Sequence, residues 1–428
     1  MLTTLRHIWR SVLLPPAIRR AVTPAVRLAV TAANEVRAMR APPLTPIDQV
    51  RVGPVSLAGF HNSVIGLGMA ARLNRTTLDQ LGFEVDAVDL SPMIDQQDFG
   101  RKDSGVAQHV MGKMDGGVLL LHVNPPELGH ALAWLGAGMI RNVYRVGYWT
   151  WSLPVIPSLW ARHLRHLHEI WAPTSFVADA IKSRVPPGRP IDVRIVPHPV
   201  PPMPDVRPNR AAFGLPESAC VVLTMFDMRS SMARKNPLGA IAAFRQACGD
   251  DPRACLLIKV SHPEIAADQF ASLRRAAGCS NVRILTDILD DKKSYSLTAC
   301  ADIILSLHRA EGFGLVMAEA MRLGKAIVAT NWSGNIDFMT KDTAALVDYD
   351  IVDVDDPQGN YRGQKWADPR ITHAAELLRG LVDDRSRREI MGARAREFAD
   401  QCFSAARFKA NLSPNFLRFA VRRPVSTL

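Results

Sequence analysis

Two carboxylates, Glu311 and Glu319, flank a Gly312-Phe313-Gly314 turn in the stretch HRAEGFGLVMAEAM, residues 308 to 321. The apolar run before it, DIILSLH, reads as a strand, and LVMAEAMRLG after it reads as a helix. Ligands of doubly wound sheets lie beyond the carboxyl ends of the strands, at turns of this kind. Glycines let backbone come close to a ligand. The N–H groups of Phe313, Gly314 and Leu315 would point out of the helix N-terminus, where the dipole favours an anion such as phosphate. One acid can then stand near a reacting sugar while the other meets a ribose diol, as acids at such turns do in dinucleotide folds.

A second cluster belongs with the first. MFDMRSSMARKNP ends an earlier strand and carries Arg229, Arg234 and Lys235 to the same sheet edge, where cations can neutralise a diphosphate. A basic loop alone reads as solvated, and a lone Glu pair as a cap and a helix surface. On one edge of one sheet, the two together read as a site.

The elements that would position these residues come in two series. From Val52, short apolar runs alternate with helical patterns: VGPVSLAGF, GMAARLNRTTLDQLG, FEVDAVDL, then GGVLLLHV, VYRVGYW, EIWAP and DVRIVPHPV. That alternation predicts βαβ units and a parallel sheet. A Pro-rich linker, residues 197 to 210, interrupts it, and a second alternation runs from CVVLTMFD to KAIVAT. A chain of 428 residues with 47% apolar residues can build two cores. The expected class is α/β, with two Rossmann-like domains facing a cleft.

Charge and composition narrow the partners. The net +11, from 52 Lys and Arg against 41 Asp and Glu, favours an anionic partner. No basic stripe with stacking aromatics supports nucleic acid. Six cysteines without a C-x-x-C pair read as reduced thiols, no run approaches a membrane span, and the start lacks a signal-peptide core, so a cytoplasmic chain is expected. Residues 1–45 carry Arg6, Arg10, Arg19, Arg20, Arg27, Arg37 and Arg40 against Glu35, a candidate contact with the anionic inner face of the cell membrane. Flotation with anionic liposomes tests it: equal behaviour of full-length and truncated protein would remove the idea. The acid pairs in DVDD (353–356) and DAVD (86–89) read as loop and strand-end acids, not as metal ligands.

The segment LSLHRAEGFGLVMAEAMRLGKAIVATNWSGNIDFM, with FDMRSSMARKNP before it and YRGQKWADPRITHAAELLR after it, resembles the retaining, nucleotide-sugar-dependent family 4 glycosyltransferases of the GT-B fold. More narrowly, it resembles their bacterial mannosyltransferase-like branch. LAGFHNSVIGLGMAARL, VGYWTWSLP, EIWAPTSFVADAI and VRIVPHPV extend the resemblance over roughly residues 52–400.

By that resemblance, 46–205 is an acceptor domain, 206–385 a nucleotide-sugar domain, and 386–428 a helix crossing back to the first domain, with a tail. Glu311 would meet the donor sugar near its 3- and 4-hydroxyls and Glu319 the ribose. Lys235 with Arg229 or Arg234, and the turn Gly312 to Leu315, would hold the diphosphate. Gly66 and Gly68 match the glycine loop near the donor phosphates. His122 is a candidate near the donor sugar, His61 and His308 are weaker ones, and Asn335 would support the loop beside Glu311. Ser152 stands where the branch usually has Glu, which keeps open a non-catalytic sugar-nucleotide-binding partner as an alternative. The implied reaction transfers a hexose, mannose from GDP-mannose or alternatively a sugar from a UDP-sugar, to a glycan or lipid-linked acceptor. The acceptor would attack on the face the phosphate leaves, with no obligatory metal.

Overall fold

The computed structural model describes residues 29, 32–63, 65–94, 114–125, 127–202, 207–356, 361 and 363–423. Its first sheet is built from β1 (Val55–Gly59), β2 (Val85–Asp89), β3 (Val118–Leu121), β4 (Tyr144–Tyr148), β5 (Glu169–Ala172) and β6 (Asp192–Ile195), in the order β2-β1-β3-β4-β5-β6. The second holds β7 (Cys220–Asp227), β8 (Ala254–Ser261), β9 (Val282–Leu285), β10 (Ile303–Ser306), β11 (Ala326–Thr330) and β12 (Ala345–Val347), ordered β9-β8-β7-β10-β11-β12. All pairings within both sheets are parallel. The second order is 3-2-1-4-5-6 in its own count, the dinucleotide-binding topology. Its strands, such as Ala254–Ser261 and Ala326–Thr330, are buried nearly throughout, which explains their continuous apolar runs.

The helices that matter for the cleft are α1 (Gly66–Gln80), α2 (Ser175–Lys182), α3 (Met232–Lys235), α4 (Asp291–Cys300), α5 (Leu315–Arg322), α6 (Arg385–Cys402) and α7 (Pro414–Phe419). Local sequence sets their starts. The Thr174 side chain accepts from the Val177 amide, Ser231 from Arg234 and Asp290 from Lys293, each satisfying an orphan N–H of a first turn. Asn236, at φ 53°, ends α3 and caps the next helix, where Pro237 takes the first position. In this way the RKNP run is forced into one short turn that presents Arg234 and Lys235 at the end of β7.

Each sheet has an apolar layer on both faces. Ala58, Leu119, Leu121 and Ile170 lie on one side of the first sheet, and Val55, Leu57, Leu120 and Val146 on the other. Helix α6 packs Ala395 and Ala399 against the second domain with Phe403. The return to the first domain is made after that helix: Phe408, Leu412, Phe416 and Phe419 join the first domain's core, and Gly53 bridges to Ala420. A buried carboxylate pins the return. Glu169 accepts from Ser413 Oγ (2.6 Å), Tyr144 OH (2.9 Å) and Trp171 Nε1 (2.6 Å).

The basic extension is docked from residue 32 onward. Arg145 donates to the carbonyls of Pro42 (2.9 Å) and Pro43 (2.8 Å), and His163 Nε2 lies 3.0 Å from Glu35. Arg6, Arg10, Arg19, Arg20 and Arg27 lie outside the described residues. Among the described residues, no helix is long and apolar enough to cross a membrane.

An antiparallel hairpin follows β12: β13 (Tyr349–Asp353) and β14 (Lys365–Pro369), in register Val352 to Trp366. The sequence reading did not anticipate it. The DVDD acids fall at its end, where Asp353 pairs with Lys365 (3.0 Å) and Asp356 accepts from Ser231 Oγ (2.9 Å). In DAVD, Asp89 accepts from Asn62 Nδ2 (2.8 Å) and Ser91 Oγ (2.8 Å).

Candidate active site

Glu311 sits in the turn between β10 and α5, 8% exposed. Its carboxylate pairs with Lys235 Nζ and, at 3.3 Å, with Arg234 Nη1. Burial alone would raise its pKa, but the two cations outweigh burial and hold it down at about 2. Arg234 is also fixed by donation from Nη1 to the Ala310 carbonyl (2.7 Å), and its own carbonyl accepts from the Arg309 amide (2.7 Å). The turns after β7 and β10 are thereby locked together. Burial lowers the Lys235 pKa and the Glu311 charge works against that shift.

Arg229, the other candidate for the diphosphate, is engaged elsewhere: its Nε lies 2.9 and 3.0 Å from the two Asp227 oxygens. His262 Nδ1 reaches the same carboxylate at 3.2 Å. The residues gathered around Glu311 are therefore Arg234 and Lys235.

The turn itself divides its work in a way the sequence did not reveal. Phe313 is 5% exposed and packs on Phe338 (4.9 Å) and edge-on to His198 (4.9 Å), an anchor in the core. Gly314 has φ 100°, a left-handed conformation suited to glycine, and supplies no capping side chain to α5. Gly312 is needed for another reason. A Cβ there would lie 2.5 Å from the Trp151 carbonyl oxygen, so this glycine allows the backbone of the first domain to close on the turn. Its carbonyl accepts from Thr174 Oγ1 at 2.8 Å, again across the cleft.

Further ties hold the cleft shut. Arg72 on α1 lies 3.8 Å from Asp291 on α4, and Ser175 donates through N and Oγ to Asp337 (2.6 and 2.7 Å). Gly68 is as tightly placed as Gly312, since a Cβ would lie 2.5 Å from the Phe60 carbonyl oxygen. A Cβ on Gly66, at the start of α1, would meet no protein atom within 4 Å.

Glu319, on α5, is buried beside Tyr295 and Asp291. Burial first, then the Asp291 charge, push its carboxyl up to about 8, against the hydrogen bond from the Tyr295 phenol. Its folded pKa lies above the ordinary 4.5, so the folded chain binds more protons than the unfolded chain from about pH 4.5 to 8. This contribution to stability is complete below that window and is lost as pH rises through it. Glu319→Gln is expected to lose on the order of 10 °C less in thermal midpoint between pH 5 and 8 than the wild type does. Identical slopes for the two proteins would mean that Glu319 is already ionised in the fold.

The histidines separate by their partners. His308 is fully buried, with Ser306 Oγ at 3.0 Å on Nδ1 and Asn335 Oδ1 at 2.9 Å on Nε2; Asn335 in turn donates to the Thr330 carbonyl (3.0 Å). This pair braces the loop that also offers Ser333 Oγ, 2.9 Å from the Glu311 amide. His61 places Nε2 3.0 Å from the Leu57 carbonyl oxygen. His122, beyond β3, is stacked on Tyr148 (4.6 Å), and neither ring nitrogen has a hydrogen-bond partner among the described residues. Burial, with His198 and His61 adding to it, holds its pKa well below the usual value, so the ring is neutral.

A cleft floored by two parallel sheets, with paired cations and acids at the strand ends of the second, has known relatives. The chain matches the structure of HepE from Anabaena in complex with UDP-glucose (TM-score 0.57, 13% identity, 83% of this chain and 97% of that one). Sucrose-phosphate synthase from Thermosynechococcus elongatus matches with TM-score 0.58 and 15% identity over 83% of this chain and 96% of that one. A TarM mutant of S. aureus, in complex with fondaparinux, alpha-GlcNAc-glycerol and UDP, matches with TM-score 0.52 and 12% identity over 71% of this chain; the chain spans 55% of TarM's length. Identities this low speak for the fold, which is GT-B. A search of the curated proteins returned no match. The family described as "Family 4 Glycosyltransferase in conflict systems" matches residues 177–400, more than half of the chain. The protein belongs to that family and is a glycosyltransferase of the GT-B fold.

Proposed function

We propose that the protein moves a hexose from a nucleoside-diphosphate sugar to a glycan or lipid-linked acceptor, with retention at the anomeric carbon, in the assembly of a polysaccharide or glycoconjugate. The observation that carries this reading is the Glu311 carboxylate held between Lys235 and Arg234 at the start of α5. As the sugar–phosphate bond breaks, negative charge grows on the diphosphate. Two cations and the first amides of α5, fixed before the reaction, stabilise that charge without reorganisation. Glu311 meets the sugar hydroxyls and Glu319 the ribose, while the neutral His122 stands near the donor sugar at the end of β3. The acceptor attacks from the face the phosphate leaves, and the leaving phosphate takes the acceptor proton. The paired cations serve the diphosphate, so release is expected to persist in a chelator.

Mannose from GDP-mannose is the donor suggested by the sequence resemblance, and glucose from UDP-glucose is the rival suggested by HepE. The test is nucleotide release from GDP-mannose, UDP-glucose and UDP-GlcNAc, with and without acceptor extracts. Release from one of these donors is expected. Release from none, with UDP and GDP both unbound at millimolar concentration, would overturn the reading.

A further inference from the structure

Lys259, on β8, is a buried charge with no part in the proposed reaction. It is 6% exposed, and its Nζ donates to Ser261 Oγ at 2.6 Å. Among the described residues Ser261 is the one hydrogen-bond partner of this side chain, and no ion pair reaches it. Burial lowers its pKa, and the charges of Asp227 and Asp287 act against that shift. Asp227 is itself taken up by Arg229, at 2.9 and 3.0 Å. Lysine is rarely buried unless paired, because its charge leaves water at a cost.

Its neighbours make the charge stand out further. Alternation along β8 puts Leu257, Lys259 and Ser261 on one face of the sheet. On that face Leu257 and Leu223 share a core with Leu297 of α4 and Met317 of α5. In register, Lys259 lies between Leu285 on β9 and Met225 on β7, both only partly buried. The next row, at the carboxyl ends of the strands, sets Ser261 beside Asp227. A half-open apolar row with one ammonium in its middle suits a flat heterocycle, whose faces meet the apolar side chains while its edge meets the donor.

The row adjoins the charges that hold the diphosphate in the proposed function. Arg234 and Lys235 follow β7 and Glu311 follows β10, while Lys259 is on β8, on the other side of β7 from β10. Glu319, the ribose acid of that reading, is on α5, which packs against the same face. A nucleoside diphosphate laid from β10 across β7 brings its base to β8. Bases differ in what they offer an ammonium. Guanine carries two adjacent acceptors, O6 and N7, on one edge; uracil carries the single O4, and adenine puts an amino donor where guanine has O6.

We propose that Lys259 is a specificity-determining residue of the donor site, and that its ammonium reads the O6 and N7 edge of guanine. The proposal rests on the donor-pocket reading above and deepens it, because it selects a guanosine-diphosphate sugar over a uridine one. The ammonium, held by Ser261 alone before the ligand arrives, gains two acceptors on binding, so part of the cost of its burial returns as affinity. Uracil offers half of that gain. An adenine amino group would face the ammonium donor to donor.

The test titrates GDP, UDP and ADP by calorimetry into the full chain, as wild type and as Lys259→Met. Met keeps the length and apolar stem of lysine and removes a buried charge, so the thermal midpoint without nucleotide should equal or exceed that of the wild type. GDP is expected to bind the wild type about tenfold more tightly than UDP, with ADP weakest. Lys259→Met should lower GDP affinity about tenfold and UDP affinity by no more than about threefold, and leave ADP unchanged. An equal loss for all three nucleotides would make Lys259 a partner of the phosphates. Unchanged GDP affinity, with or without a lowered midpoint, would make it a structural residue, and a wild type that prefers UDP would remove the assignment to guanine. Each of these results overturns the proposal and leaves the donor-pocket reading in place. A wild type that binds none of the three nucleotides would remove that reading and this proposal with it.

Discussion

Glu311→Gln is expected to cut transfer by about 10²–10³ while UDP or GDP binds at least as tightly as in the wild type. In the proposed function the carboxylate and a bound diphosphate draw on the same cations, Lys235 and Arg234, so removing the carboxylate charge would free both for the nucleotide. The sugar loses its hydroxyl partner, and the loss falls on the chemical step. Gln preserves shape, which matters because removing one partner of a buried pair outright costs about 3–5 kcal/mol. Initial rates with the preferred donor, calorimetry with the nucleotide and circular dichroism for the fold separate these effects. An unchanged rate would take Glu311 out of the reaction. A tenfold loss of nucleotide affinity would make it a nucleotide ligand instead.

Gly312→Ala should also lower kcat by about 10², for a reason with no chemistry in it. The new Cβ would lie 2.5 Å from the Trp151 carbonyl oxygen, and backbone cannot yield as a flexible side chain does. The domains must stand apart, and the Thr174 bond to the Gly312 carbonyl is lost with the contact. A displacement of about 1 Å in a site assembled from two halves is enough for such a loss. The cations at the end of β7 keep their places, so nucleotide affinity should stay within about threefold. A wild-type kcat in this variant would show that the reaction tolerates a more open cleft.

The two variants probe different kinds of information. The strand–turn–helix around Glu311 is legible in sequence because its periodicity changes from a short apolar run to a helical pattern at the glycines. The caps Ser231 and Asn236 are local features as well, since each side chain accepts from the amide three residues on. Which of Arg229 and Arg234 lies beside Glu311 was not legible. Both stand on one loop, and a carboxylate two residues from Arg229, Asp227, engages it while Arg234 is turned to Ala310 and Glu311. The reading of the turn concerned the Phe313 amide and left its side chain unplaced; the ring faces Phe338 and His198.

By itself the sequence determined the two α/β series, the strand ends that carry the acids and cations, and the likeness to family 4 glycosyltransferases. Such features depend on residues near one another in the chain, whose spacing sets period, turn and cap. Only the tertiary structure decided that Gly312 serves the approach of Trp151, that segment 404–423 rejoins the first core, and that a hairpin packs Trp366 with Ala310, beside Glu311. Those facts depend on groups from roughly 50 to over 240 residues apart, such as Ser413 and Glu169, meeting in one packed interior. No local spacing encodes such a meeting, because close packing selects it from the whole chain at once.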